Sequence, residues 1–129
     1  MKILIETIPH AEHRYETVGD WQFEASGDLI VRVSDMGNAE YESLVAIHEI
    51  VEALLCKKRG ISEKEVTAFD EQFEIARKQF PDLFGDNEPG DHPKAPYNAE
   101  HAFATRLEHS LSLELGVDWQ EYTKAVSGL

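Results

Sequence analysis

The stretch Asn38–Gly60, NAEYESLVAIHEIVEALLCKKRG, constrains this chain more than any other. It has the length of about six helical turns. Asn38 belongs to the residue class that caps helix N-termini, and Glu40 and Glu42 suit the positive end of the helix dipole. Lys57, Lys58 and Arg59 suit the negative end, and Gly60 provides a stop. At about 100° per residue, Leu44, Val51 and Leu55 fall within roughly 60° on one side of His48. Tyr41, Val45 and Glu52 fall within about 60° on the other side. His48 and Glu52 are thus one turn apart inside the apolar stripe, with Glu49 beside them. Polar groups buried without partners cost roughly 2–7 kcal/mol each, and a charge costs more. The helix therefore demands something that answers this pair. A metal ion is the sharpest candidate; the alternative is a protein-only network in which His48 bonds Glu52 or a tyrosine.

The flanking segments say what the helix packs on. Lys2–Thr7 (KILIET) reads as a strand that stops before Pro9. Asp20–Glu24 and Leu29–Ser34 alternate around the turn signal Ala25-Ser26-Gly27-Asp28, which predicts a hairpin. Residues 2–34 then form a three-stranded sheet, antiparallel or mixed, whose apolar face needs a helix to cover it. After the motif helix at 38–60, Ser62 and Glu65 make a capping box for a helix over 62–80. Val66, Phe69, Phe73, Ala76 and Phe80 give its core stripe, and Asp70 reads as an exposed flank residue. Residues 81–97 hold four of the five prolines and read as a long loop, a functional lid or a disordered segment, with His92 in its middle. Asn98 is placed to cap a third helix over 98–115. Its core face is Phe103, Ala104, Leu107, Leu111 and Leu115, while His101 and Glu108 share an adjacent edge. A short helix over 118–127, with Tyr122 and Val126, ends the chain. The expected class is α+β: one domain, 1–129, with a small sheet against a long central helix, two further helices and a short C-terminal one.

Charge narrows the partners. The chain of 129 residues carries 25 acidic and 12 basic residues, a formal net charge of −13. This excludes nucleic acid or anionic membrane binding through the bulk surface and suits a cation, a peptide or a basic protein partner. The single cysteine, Cys56, rules out an internal disulfide and reads as a buried inert thiol in a reducing compartment. With no leader and no apolar run near 18 residues, the expected location is cytoplasmic, without a membrane span. There is no Gly-rich phosphate loop and no G-x-S-x-G elbow.

His48-Glu49-Ile50-Val51-Glu52 is an H-E-x-x-E pattern. In the H-E-x-x-H form, two histidines bind zinc from one helix face and the glutamate serves as general base. Zinc also accepts carboxylate oxygen, so Glu52 can stand for the second histidine. The passage from Leu29 to Leu55 resembles the strand-turn-helix of the zincin metalloproteases. That resemblance implies His48 and Glu52 as metal ligands, Glu49 as base and a hydrolytic, peptidase-like activity. The whole chain also resembles small proteins of tailed bacteriophages, which assigns no activity. A zincin-like site needs a third ligand. His101 is the first choice, and Glu108, His92 and Glu100 follow. Glu52 adds negative charge to the ion, which lowers its Lewis acidity and opens the site to manganese or magnesium, though zinc remains the first expectation. His10 and His13 lie in a polar segment bracketed by Pro9 and Gly19 and are set aside as ligands.

Two other readings use the same residues. Glu49–Glu52 and Glu71–Glu74 resemble the paired E-x-x-E and E-x-x-D helices of all-α nucleotide pyrophosphohydrolases, which use magnesium. Here Glu74 replaces the aspartate, and an N-terminal sheet has no place in that fold. The other reading is a non-enzymatic acidic interaction protein with His48 and Glu52 satisfied in its core.

Overall fold

A computed structural model describes residues 1–129. Three strands, β1 (Ile3–Ile8), β2 (Gly19–Phe23) and β3 (Leu29–Ser34), form one mixed sheet in the order β1-β3-β2. β2 and β3 are the expected antiparallel hairpin, with Trp21 opposite Val31, and β1 runs parallel to β3, with Ile5 opposite Val31. β3 is central, so its alternation sends Leu29, Val31 and Val33 to one face, where all three are fully buried. β1 is an edge strand, and Ile3, Leu4 and Ile5 stay about half exposed.

α1 (Ala39–Lys58) covers the apolar face of the sheet, which makes the fold α+β with a long central helix. The Asn38 side chain accepts hydrogen bonds from the backbone N–H groups of Glu40 and Tyr41, each at 3.1 Å. Gly60, at φ +72°, turns the chain out of the helix in the left-handed conformation that glycine adopts at no steric cost. The buried face of α1 holds Leu44, Val45, Ala53 and Cys56 together with His48, Glu49 and Glu52. Burial foremost, and then the charges of Glu52 and Glu100, push the Cys56 thiol up to about 12, so it stays a protonated core side chain.

α2 (Glu63–Gln79) starts with the predicted capping box, Ser62 and Glu65 exchanging hydrogen bonds. Val66 and Phe73 are buried as expected, but Asp70 is buried too and is no flank residue. Two tyrosine hydroxyls, from Tyr15 and Tyr97, donate to its carboxylate and allow that burial.

The segment 81–97 is more ordered than its prolines suggest. It contains a helical turn, α3 (Pro81–Phe84), and a 3₁₀ turn at Pro89–Asp91. Arg77 donates to the Gly85 carbonyl at 2.6 Å and to that of Asn87. Asn98 does not cap the next helix. Its side-chain amide donates to the carbonyls of Gly90 at 3.0 Å and His92 at 3.2 Å, tying the segment down.

α4 (Asn98–Glu114) packs along α1, and α5 (Trp119–Ser127) closes the end of the pair through Tyr122. The expected core face of α4 is corrected. Phe103, Leu107 and Leu115 are each about 40% exposed, while Glu100, His101, Ala104, Glu108 and Ser112 are buried. The helix turns its polar edge inward because that edge finds partners on α1, and partnered polar groups no longer oppose burial. No helix of the fold is long and apolar enough to cross a membrane.

Candidate metal centre

α1 offers His48 and Glu52 from successive turns, and α4 offers His101 from its first turn, facing them across the helix pair. His48 Nε2, Glu52 Oε2 and His101 Nδ1 are mutually 3.1 Å apart, an equilateral triangle of three donors. All three residues are at least nine-tenths buried. They can hold a metal ion.

The opposite ends of His48 and Glu52 are also held, and that of His101 faces two carboxylates. His48 Nδ1 lies 2.8 Å from Glu108 Oε1, and Glu108 Oε2 accepts from the Tyr122 hydroxyl at 2.5 Å. Glu52 Oε1 accepts from the Trp21 indole N–H at 3.0 Å. His101 Nε2 is 3.2 Å from both Glu88 Oε2 and Asp91 Oδ1. In the neutral tautomer with its proton on Nδ1 toward Glu108, His48 turns the lone pair of Nε2 to the centre of the triangle. Metal-ligating histidines characteristically donate their other nitrogen to a carboxylate in this way.

Hydrogen bonds alone satisfy the triangle poorly. Each ring nitrogen carries at most one proton, which can point along one edge only. If both rings are imidazolium, the N–H groups of His48 Nε2 and His101 Nδ1 meet head to head at 3.1 Å. A tetrahedral ion with bonds of 2.0–2.1 Å spaces its donors by roughly 3.3 Å, close to the spacing here. The donor set, two imidazole nitrogens and one carboxylate oxygen, is one that zinc accepts.

The electrostatics point the same way. Asp20 is paired by Arg14 and Glu100 by Arg59, but Glu49, Glu52, Asp70 and Glu108 have no lysine or arginine partner. Burial lowers the pKa of His48, yet Glu108, Glu52 and Glu49 outweigh it and hold the value well above the ordinary one. His101 is likewise opposed by burial but pushed up to about 12 by Asp91, Glu52 and Glu88. Burial alone would raise the pKa of Glu52; its two imidazole neighbours bring it down to about 2. The cluster favours positive charge at its centre.

Glu49 is different. It makes no hydrogen bond, and burial first, then the charges of Glu52, Asp20 and Asp70, raise its pKa well above the usual carboxylate range. Gly19 leaves room for it: a Cβ at that position would sit 2.7 Å from Glu49 Oε1. With His48, Glu52 and His101 it lines a cavity of about 710 Å³ that reaches Asp70 and Glu108.

Of the secondary candidates, Glu108 joins the cluster by bonding His48 Nδ1 on the side away from the triangle, so it orients the imidazole and does not face the triangle's centre. Glu100 is buried but pairs with Arg59, 2.5 Å away, and is not one of the three donors of the triangle. His92 is corrected as well. Its ring packs 5.8 Å from Phe69 and 6.3 Å from Phe73, and its Nδ1 accepts from the Lys94 N–H. His10 and His13 both bond the buried hydroxyl of Ser34, at 2.8 and 2.9 Å, and serve as a clasp on β3. Glu71 is exposed and Glu74 pairs with Arg77, so the four-carboxylate arrangement of the pyrophosphohydrolases is not assembled.

Trp21, Asp70, Glu88, Gly90 and Asp91 escape sequence reasoning. Their spacing relative to α1 is set by tertiary packing, and no local pattern marks them. Asp70 has a measurable consequence. Burial first, then the charge of Glu52, raises its pKa to about 7, against hydrogen bonds from Tyr97 and Tyr15 and attraction from His101. The native state therefore holds a proton that the unfolded chain releases at its ordinary pKa of 3.8. The resulting stability is full below that value and is lost as pH rises toward about 7. In chelator-treated protein, Asp70→Asn is expected to remove this decline, which urea unfolding at pH values across the window measures.

No family model, curated protein or solved structure matches the chain.

Proposed function

We propose that this chain is a zincin-like metalloprotein in which His48, Glu52 and His101 hold a divalent metal, zinc before manganese or magnesium, and Glu49 is the base of a hydrolytic reaction. The observation that carries the reading is the triangle of three donors at 3.1 Å, with Glu108 bracing His48, Trp21 bracing Glu52, and the Glu88–Asp91 pair facing the far nitrogen of His101. A peptide is the substrate class that the H-E-x-x-E helix and its supporting strand suggest. The acidic lining of the cavity favours a basic one.

A zinc held by His48, Glu52 and His101 would supply Lewis acidity, moderated by the charge of Glu52, and would lower the pKa of a water beside it. The protein does the rest. Glu49, whose side chain has no hydrogen bond to the protein to break, would take the proton from a water in the site and hand it to the leaving amine. Trp21 and Tyr122 hold the carboxylates of Glu52 and Glu108 in fixed orientations, so the imidazoles keep their lone pairs aimed inward.

The test is elemental analysis of protein purified without an affinity tag. At least one zinc or manganese ion per chain is expected, with about one fewer in His48→Ala and the midpoint of thermal unfolding lowered by chelator. Metal-free protein whose stability ignores chelator contradicts the proposal and supports the satisfied-core reading of an interaction protein.

A further inference from the structure

His101 presents metal-capable groups at both ends of its ring. Nδ1 faces His48 and Glu52, while Nε2 faces Glu88 and Asp91. These two carboxylates bracket the 3₁₀ turn Pro89–Asp91, and side chains three residues apart eclipse in such a turn. The second oxygen of Asp91 is held by the Glu88 N–H at 3.2 Å, which leaves Oδ1 for the ring. Gly90 between them lies against the imidazole, with no side chain to hold the turn away. His101 is 96% buried, yet its Nε2 makes no well-formed hydrogen bond, although a Glu88 and an Asp91 oxygen each lie 3.2 Å away. A buried ring nitrogen equidistant from two half-exposed carboxylates, and squarely hydrogen-bonded to neither, is a geometry that a divalent cation fits.

We infer that Glu88, Asp91 and His101 Nε2 form a second divalent-cation site that shares the His101 ring with the His48–Glu52–His101 centre. One ligand atom from each of the three lies within 4.8 Å of the others. When both nitrogens are coordinated, the ring's remaining proton leaves for solvent and the imidazole bridges as its anion. Charge then balances: two dications meet three carboxylates and one imidazolate. The side chains of Glu88 and Asp91 are about half exposed, so this outer site is open to solvent and the inner one is not. The inference uses a ring of the proposed centre, but its carboxylates are separate, so either site can fail alone.

Equilibrium dialysis of untagged protein against zinc, with the pH change on binding recorded, separates the cases. The doubly substituted Glu88→Gln, Asp91→Asn chain and His48→Gln are measured beside the wild type, with circular dichroism as the check on folding. Both carboxylates sit half exposed, so their removal leaves the core intact. About two zinc ions per wild-type chain are expected, about one in each variant, and extra proton release with the second ion. Wild-type stoichiometry unchanged by the Glu88/Asp91 substitutions overturns the second site and leaves the first standing. Loss of zinc in the Glu88/Asp91 variant alone, with none lost in His48→Gln, keeps the outer site and overturns the inner one. No zinc in the wild type overturns both.

Discussion

Glu49→Gln is expected to keep its metal and lose hydrolysis by about 10²–10⁴-fold, the usual contribution of a positioned general base. The substitution preserves shape, so the packing against Gly19 and β2 survives, and it removes only the capacity to carry a proton. It also removes a buried carboxylate that has no hydrogen-bond partner and sits among the charges of Glu52, Asp20 and Asp70. The folded protein should therefore be at least as stable as the wild type, an inverse relation between stability and turnover that marks a catalytic group. Hydrolysis of a fluorogenic peptide library rich in lysine and arginine, with metal content and thermal unfolding measured on the same preparations, checks all three. A variant that cleaves at the wild-type rate would remove Glu49 from the mechanism while leaving the metal centre untouched.

Gly90→Ala should be the most damaging single methyl group in the chain. A Cβ at residue 90 would stand 2.3 Å from Cγ of His101 and 2.5 Å from its Nδ1, well inside contact distance. The backbone on both sides is fixed: Asn98 bonds the Gly90 carbonyl, and His101 is anchored in the first turn of α4. The ring has to swing out of the triangle. Forced overpacking costs about 1–3 kcal/mol, and the loss of ligand orientation should weaken metal binding by about 10–100-fold. Zinc titration against a competing chelator, together with urea unfolding, reads both. Gly85→Ala is the control in the same segment, since a Cβ there meets nothing within 4 Å, although its φ of +53° brings local strain. An unaltered zinc affinity in Gly90→Ala would mean that His101 does not need its observed position.

The elements were legible where local chemistry decides them. Asn38, Ser62 and Gly60 mark helix ends because capping involves only neighbours in sequence, and β3 announces itself by alternation. The pair His48 and Glu52 was legible for a related reason: helical spacing alone places it on the buried face of α1. His101 could be proposed as its partner, though not secured, because its approach depends on how α4 rotates about its own axis. That rotation also defeats the hydrophobic reading. Phe103 and Leu107 look like core residues, yet they are exposed, since His101 and Glu108 find partners on α1 and Tyr122 that outweigh the burial of two apolar side chains. Asp70 was misjudged for the same reason, its tyrosine partners lying 55 and 27 residues away in sequence. Proline-rich composition likewise hid the 3₁₀ turn at Pro89–Asp91, whose side-chain anchors come from Arg77 and Asn98.

Anomalous diffraction at the zinc absorption edge, from crystals of untagged protein grown without chelator, bears most directly on whether the His48–Glu52–His101 triangle holds a cation. A strong peak within about 2.0–2.2 Å of His48 Nε2, Glu52 Oε2 and His101 Nδ1 is the expected result, whether or not a second lies beyond the His101 ring. The absence of any peak there in zinc-soaked crystals, with the three side chains in the same positions, would contradict it.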